Sequence, residues 1–210
     1  MVRILIADDH TMFREGLKRI LAEYPDLVAA DEAGNGNEVI EKVLNNEFNM
    51  ILLDIAMPGM NGLEVLKQLK KEKPKMPVLV ITAHPEEQYA VRVLKAGASG
   101  YLTKERAPEE LITAIRKISQ GRKYITASLA ERLAFEIETD TQKPAHEILS
   151  DREYQVLLMI ASGKTVTQIG DELFLSVKTV SSYRTRILEK MKMKSNAELT
   201  HYVIKHNLLS

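Results

Sequence analysis

The sequence predicts an α/β fold with a five-stranded parallel sheet, joined by a linker to an all-α C-terminal unit. Three observations predict it. Strand-like and helix-like segments alternate five times over residues 2–121, the pattern of a parallel sheet with helices on both faces. The run Met50–Ile51–Leu52–Leu53 is wholly apolar and passes into Asp54 and then the turn Met57–Pro58–Gly59. Such a run reads as a strand buried on both faces, with its carboxylate at the C-terminal edge, where open α/β sheets bind ligands. From Ser150 onward only helical spacing and helix caps occur.

Residues 2–7 form strand one. Asp8–Asp9–His10–Thr11 opens a helix with Met12, Phe13, Leu17, Ile20 and Leu21 as its apolar face, ended by Tyr24–Pro25–Asp26. Leu27–Ala30 begins strand two, and Gly34–Asn35–Gly36 turns into a helix carrying Val39, Ile40, Val43 and Leu44. After the central strand, Gly62 opens a helix with Leu63, Val65, Leu66 and Leu69. Pro77–Thr82 is strand four, followed by a helix around Tyr89, Val93 and Leu94 that ends at Gly97. Ser99–Thr103 is strand five, closed by Lys104, and a helix with Leu111, Ile112, Ile115 and Ile118 stops at Gly121. Beyond it lie a helix over 127–138 with Leu129, Leu133 and Ile137 as a sparse stripe, and a polar, flexible linker over 138–146.

Composition narrows the class. The chain has no cysteine, which excludes disulfides, thiol nucleophiles and cysteine-ligated zinc. No apolar run nears the ~20 residues that span a bilayer, and the N-terminal strand meets acid too early for a signal peptide, so a cytoplasmic protein is expected. Formal net charge is zero, but it divides: residues 147–210 hold 9 Lys/Arg and 7 Asp/Glu. Over 178–194, Lys178, Arg184, Arg186, Lys190, Lys192 and Lys194 face Glu189 alone, a local basic stripe.

Parallel strands deliver their C-terminal residues to one edge. Asp8 and Asp9, Asp54, Thr82 and Lys104 should therefore converge. Clustered carboxylates ask for a divalent cation, and all-oxygen ligation suits Mg²⁺. Asp54 could then take a phosphoryl group as an aspartyl phosphate, with Lys104 and the Thr82 hydroxyl on its oxygens. Taken singly, Asp8 or Asp9 reads equally as a helix cap, Thr82 as a strand end and Lys104 as a surface lysine. His10 receives no catalytic role, and His84 reads as an exposed loop residue near the site. A phosphoaspartate hydrolase is the competing class, though its acids would alternate on one loop.

These residues carry a resemblance. Asp8–Asp9, Asp54 with Met57–Pro58–Gly59–Met60–Asn61–Gly62, Thr82–Ala83, Gly97–Ala98–Ser99–Gly100–Tyr101 and Lys104 resemble a flavodoxin-like response-regulator receiver domain over residues 1–122. The resemblance implies phosphorylation of Asp54 by a sensor histidine kinase. It implies Mg²⁺ on Asp9, Asp54 and the Ala56 carbonyl with Asp8 alongside, and phosphoryl binding and switching by Thr82, Ala83, Tyr101 and Lys104. Thr82 would move toward the phosphate and the Tyr101 ring would turn inward behind it. Glu105 stands where many receivers have a proline after the lysine, which leaves the backbone there open.

The C-terminal unit, 147–210, begins with the capping box Ser150–Asp151–Arg152–Glu153. Val156, Leu157 and Ile160 give an inner face and Gly163 a stop. Thr165–Leu173 is a short helix, and Ser176 caps a longer one. There Val180, Ile187, Leu188 and Met191 share a packing face, while Lys178, Ser181, Ser182 and Thr185 point away, flanked by Arg184 and Arg186. A last helix from Asn196 carries Leu199, Val203 and Ile204. Small polar residues beside cations suit the DNA major groove; a plain bundle that binds protein is the alternative.

Leu149–Ser150–Asp151–Arg152–Glu153, Ile160–Ala161–Ser162–Gly163–Lys164, Leu175–Ser176–Val177–Lys178–Thr179–Val180 and Arg186–Ile187–Leu188–Glu189–Lys190–Met191 resemble a LuxR-type helix-turn-helix. The whole chain is similar to NarL/FixJ-family response regulators, and Tyr183–Arg184 with the 123–138 helix resembles their GacA/UvrY branch. The resemblance implies promoter DNA as partner, contacted by Lys178, Thr179, Ser181, Ser182 and Thr185, with Tyr183, Arg184 and Arg186 on the phosphates. It implies domains at 1–122, 123–146 and 147–210, a homodimer when active, with the 195–206 helix in its contact, and no membrane association.

Overall fold

The computed structural model describes residues 1–138 and 144–209, and the side chains of these except 135–138. The expected flexible stretch at 139–143 and the Ile137 side chain lie outside the described residues. Contacts divide the chain into two compact units, Met1–Glu131 and Arg132–Ser210.

The first unit is a five-stranded, all-parallel sheet in the order β2-β1-β3-β4-β5. Its strands are β1 (Val2–Ala7), β2 (Leu27–Ala33), β3 (Met50–Leu53), β4 (Val78–Thr82) and β5 (Gly100–Thr103). Between and after them run α1 (Thr11–Ala22), α2 (Gly36–Asn45), α3 (Gly62–Glu72), α4 (Glu86–Lys95) and α5 (Pro108–Ser119). Every residue of β3 is buried, as its unbroken apolar run requires of a central strand covered on both faces. Ile4, Ile6, Met50, Leu52, Leu79 and Ile81 build one face of the core with Leu17, Leu21, Ile112 and Ile115 from α1 and α5.

Local chemistry sets the helix starts. The Asn35 side chain accepts from Glu38 N at 3.1 Å, and Asn61 with Glu64 forms a reciprocal capping box. Neither Asp8 nor Asp9 caps α1; the cap position is His10, and the Asp8 carboxylate instead accepts the His10 amide at 2.8 Å. Met12 is 90% exposed, against its expected place in the core. It shares a helical face with Gly16 and Arg19, whereas Phe13, Leu17, Ile20 and Leu21 already complete the buried stripe. Leu44 is likewise exposed, one step beyond the Val39 and Val43 face. Among the described residues no peptide bond is cis, so the bond after Lys104 is trans.

The chain after α5 is not free of the sheet. Tyr124 pairs with Gly100 of β5, its N–H donating to Ser99 O at 2.8 Å. Leu129, near the start of α6 (Ala127–Glu138), is fully buried.

The second unit holds a 3-10 turn at Ala145–Ile148, then α7 (Asp151–Ala161), α8 (Val166–Leu173), α9 (Val177–Met191) and α10 (Asn196–Lys205). Capping boxes open α7 at Ser150 and Glu153 and α8 at Thr165 and Gln168. Val156, Leu157, Ile160, Ile169, Val180, Ile187, Leu199 and Val203 fill its core, while Ile204, expected to pack, is 61% exposed. Ile204 lies over His201 and Thr200, away from the Leu199 and Val203 stripe. Among the described residues no helix is long and apolar enough to cross a membrane.

Candidate functional site

Strand register assembles the first site. Ala7 pairs with Leu53, so the next residues, Asp8 and Asp54, leave the sheet side by side; Asp54 N donates to Ala7 O at 2.8 Å. Thr82 pairs with Thr103, so Lys104 leaves β5 next to Thr82 O, to which its N–H donates at 2.8 Å. The Lys104 side chain then crosses to the acids. Its Nζ lies 2.6 Å from Asp8 Oδ2 and 2.7 Å from Asp54 Oδ2. The ammonium also sits 4.6 Å from the centre of the Phe13 ring, whose face attracts a cation. Asp54 Oδ1 accepts the Ala56 N–H at 3.1 Å.

Asp8, Asp54 and Thr82 are buried. Burial acts most directly on Asp8. It pushes the Asp8 carboxyl above its usual value, the neighbouring Asp54 adds to the rise, and the Lys104 hydrogen bond only partly opposes it. Burial would lower the Lys104 ammonium, but the hydrogen bonds to Asp54 and Asp8 prevail and raise it. Lys104 thus bridges two carboxylates, and a third, Asp9, lies beside them. One ligand atom each of Asp8, Asp9, His10 and Asp54 lies within 4.8 Å of the others, a cluster that could bind a metal. Asp9 Oδ1 is shut off from solvent and accepts no hydrogen bond, with His10 Nδ1 at ion-pair distance, 2.8 Å. A closed-off carboxylate oxygen beside two buried acids fits a hard divalent cation.

The loop after β4 ties this pocket to Tyr101. Thr82 Oγ1 accepts the His84 N–H at 3.4 Å. The Tyr101 hydroxyl donates to His84 O at 2.9 Å and lies 3.3 Å from Pro85 O. Its ring is buried, 1% exposed, and burial raises its hydroxyl pKa far above the ordinary value. His84 is half-buried, its ring 4.8 Å from that of Tyr89, rather than an exposed loop residue. Ala83 is exposed at the strand end. Gly62, at the start of α3, packs against the Asp54 backbone: a Cβ there would overlap the Asp54 carbonyl and lie 2.8 Å from Ile55 Cα.

In the second unit, α8 and α9 meet across the turn Phe174–Leu175–Ser176. Gly170 lets the turn close, since a Cβ there would stand 2.8 Å from Leu175 O. Phe174 takes a left-handed backbone, φ 56°, and is 75% exposed. Ser176 caps α9, accepting from Thr179 N at 3.1 Å. Val180, Ile187 and Met191 face inward; Lys178, Ser181, Ser182, Thr185 and Arg186 are exposed, and Thr179, Tyr183 and Arg184 half-exposed. Ser182 Oγ donates to Lys178 O at 3.0 Å and Thr185 Oγ1 to Ser181 O at 3.1 Å. Arg184 Nε donates to Asn196 Oδ1 of α10 at 2.6 Å, and the Thr179 hydroxyl lies 2.8 Å from Ser176 Oγ.

Both halves match family models: the response regulator receiver domain over residues 4–116, and the bacterial regulatory proteins of the luxR family over residues 147–203. The chain belongs to the LuxR-type response regulators. It is 36% identical over 209 residues to response regulator UvrY of Escherichia coli (strain K12), covering 99% of this chain and 96% of UvrY. It is 37% identical over 209 residues to response regulator GacA of Pseudomonas protegens, covering 100% and 98%. Among solved structures it resembles RcsB from Salmonella enterica serovar Typhimurium bound to promoter P1flhDC with the phosphomimetic BeF₃⁻. That match has a TM-score of 0.65 at 25% identity, covering 97% of this chain and 98% of RcsB.

This response regulator is a DNA-binding transcription regulator with a receiver and a helix-turn-helix. Its Asp8, Asp54, Thr82 and Lys104 meet at one sheet edge, with Asp9 adjoining. Two residues touch the site without having been placed there from the sequence: His10, whose Nδ1 lies 3.2 Å from Asp8 Oδ1, and Phe13 beneath Lys104. His10 directly follows the acid pair, which is a usable signal. Phe13 is indistinguishable in sequence from any other core residue of α1.

Proposed function

We propose that this response regulator is switched by phosphorylation of Asp54 by a sensor histidine kinase in the cytoplasm. An Asp54 carboxylate oxygen attacks the phosphorus of a phosphohistidine. The P–O bond forms as the P–N bond breaks, and the leaving imidazole keeps the electron pair and is protonated from water. Mg²⁺, held by Asp8, Asp9, Asp54 and the Ala56 carbonyl, would offset the charge of nucleophile and donor. Lys104, already on Asp54, pairs with a phosphoryl oxygen; the Thr82 hydroxyl and the Ala83 N–H bind the others. The observation that carries this reading is the Lys104 ammonium held between Asp8 and Asp54 at 2.6 and 2.7 Å.

The output is a homodimer on promoter DNA, with α10 in the dimer contact and α9 in the major groove. Lys178, Thr179, Ser181, Ser182 and Thr185 face the bases, and Tyr183, Arg184 and Arg186 the phosphates. Ser182 and Thr185 have committed their hydrogens to the helix backbone, so each offers lone pairs outward. They are therefore suited to accept from the amino groups of cytosine or adenine.

The test is labelling of the purified chain with radioactive acetyl phosphate and Mg²⁺, followed by footprinting on promoter DNA. Wild type should be labelled and should protect DNA at lower concentration once labelled; Asp54→Asn should do neither. Label on Asp54→Asn would move the acceptor elsewhere.

A further inference from the structure

Two sets of hydrogen bonds, joined through two residues of chain, connect the β4–α4 loop to the start of α6. Thr82 Oγ1 accepts His84 N–H, and the Tyr101 hydroxyl donates to His84 O. Two residues on, Glu86 opens α4. Its Oε1 accepts from Thr126 Oγ1 at 2.7 Å and from Ser128 Oγ at 2.9 Å. Thr126 is also the cap of α6, since Leu129 N donates to its Oγ1 at 3.2 Å. One carboxylate oxygen therefore faces the amino ends of two helices, where negative charge is favoured. The chain entering α6 is already fixed upstream. Tyr124 is paired with β5, and its hydroxyl donates to Glu110 Oε1 of α5 at 2.8 Å.

We propose that Glu86, Thr126 and Ser128 form a latch that tightens when Asp54 carries a phosphoryl group, fixing the first turn of α6 on the receiver. The proposal rests on the phosphoacceptor reading of Asp54. Its direction follows from the Thr82 hydroxyl. The contact from His84 N is long, 3.4 Å. A phosphoryl oxygen is a charged acceptor, and a hydroxyl that donates to it becomes a better acceptor itself. Residue 84 is then held firmly by Thr82 on one side and Tyr101 on the other. Glu86 is held with it, at the rigid start of α4. Such coupling is reciprocal: the factor by which the phosphoryl group tightens the latch is the factor by which the latch favours the phosphoryl group.

Amide hydrogen exchange on the full chain, with and without beryllofluoride and Mg²⁺, tests this. In wild type the amides of Leu129, Ala130 and Glu131 should exchange about tenfold more slowly when loaded. Glu86→Ala leaves the Thr126 cap on Leu129 in place. It should abolish the slowing and weaken beryllofluoride binding by the same factor, with Val93 and Leu94 of α4 unchanged. Thr126→Ser keeps the hydroxyl and should respond as wild type. Ser128→Ala, at an exposed position, removes one donor and should give a partial response even if Glu86→Ala disturbs α4. Equal slowing in wild type and Glu86→Ala overturns the latch. So does unchanged exchange in a wild type that binds beryllofluoride. A wild type that does not bind beryllofluoride overturns the Asp54 reading itself, and the latch falls with it.

Discussion

Lys104 reaches Asp54 across fifty residues of sequence, its Nζ 2.7 Å from Oδ2, and makes an equally short contact to Asp8. One ammonium thereby holds two buried carboxylates apart. Where that cation is removed, the acids are left facing each other, and another cation should matter more.

Lys104→Ala is expected to lose about 3 kcal/mol of stability, the cost of leaving buried charge uncompensated. Saturating MgCl₂ should restore much of it, since an ion at 100 times its Kd contributes about 2.7 kcal/mol. Denaturant melts of both proteins with and without MgCl₂ check this. An equal Mg²⁺ increment in each would mean that lysine and cation do not share the pocket.

On DNA, Arg184→Ala should weaken binding to every duplex and reduce the slope of log K against log salt by about 1. Ser181→Ala with Thr185→Ala should instead erode discrimination between sites, by about 1–2 kcal/mol, at little change in slope. Asn196→Ala frees the Arg184 guanidinium from α10 and should mimic part of the arginine loss. Titrations at several salt concentrations against a promoter and a scrambled duplex separate these effects.

Glu153 gives the C-terminal unit a defined acid limb. Burial alone would raise its pKa, but Lys190 Nζ at 2.6 Å and the Ser150 N–H at 2.8 Å hold it below the usual 4.5. A folded value below the unfolded one means the stabilisation is complete above pH 4.5 and fades as pH falls through the lowered folded value. Glu153→Gln should flatten this limb and cost about 1–2 kcal/mol at neutral pH, through the weakened cap and lost ion pair. Stability measured across the acid range decides it.

Phe174 combines a left-handed backbone with an exposed ring. A non-glycine residue there costs about 1–2 kcal/mol, and the exposed ring offsets little of it. Phe174→Gly should therefore stabilise the helix-turn-helix by about 1 kcal/mol, read as a raised midpoint in denaturant. A lowered midpoint would show that the ring packs in solution.

The sheet and its acidic edge were legible because both follow from order along the chain. Alternating apolar runs name the strands, and parallel strands carry whatever ends them to the same side, so Asp8, Asp54, Thr82 and Lys104 could be placed together from spacing alone. Helix caps at Ser150 and Ser176 were local in the same sense. Met12, Leu44 and Ile204 were not, because an apolar residue one step off the stripe looks the same in sequence as one on it. The Tyr101 hydroxyl bond to His84 O joins residues seventeen positions apart and was likewise not legible. The Glu86 contacts with Thr126 and Ser128 join residues about forty positions apart through hydroxyls with no pattern of their own. Only tertiary structure reveals such pairs.

Gly62 carries a last lesson. It offers no side chain to the pocket, yet the missing methyl is what allows α3 to abut the strand end that bears Asp54. A mutational scan that scores loss of labelling would rank this position beside Asp54 and Lys104. Backbone displacement there would pass for a chemical defect unless fold and turnover were measured separately.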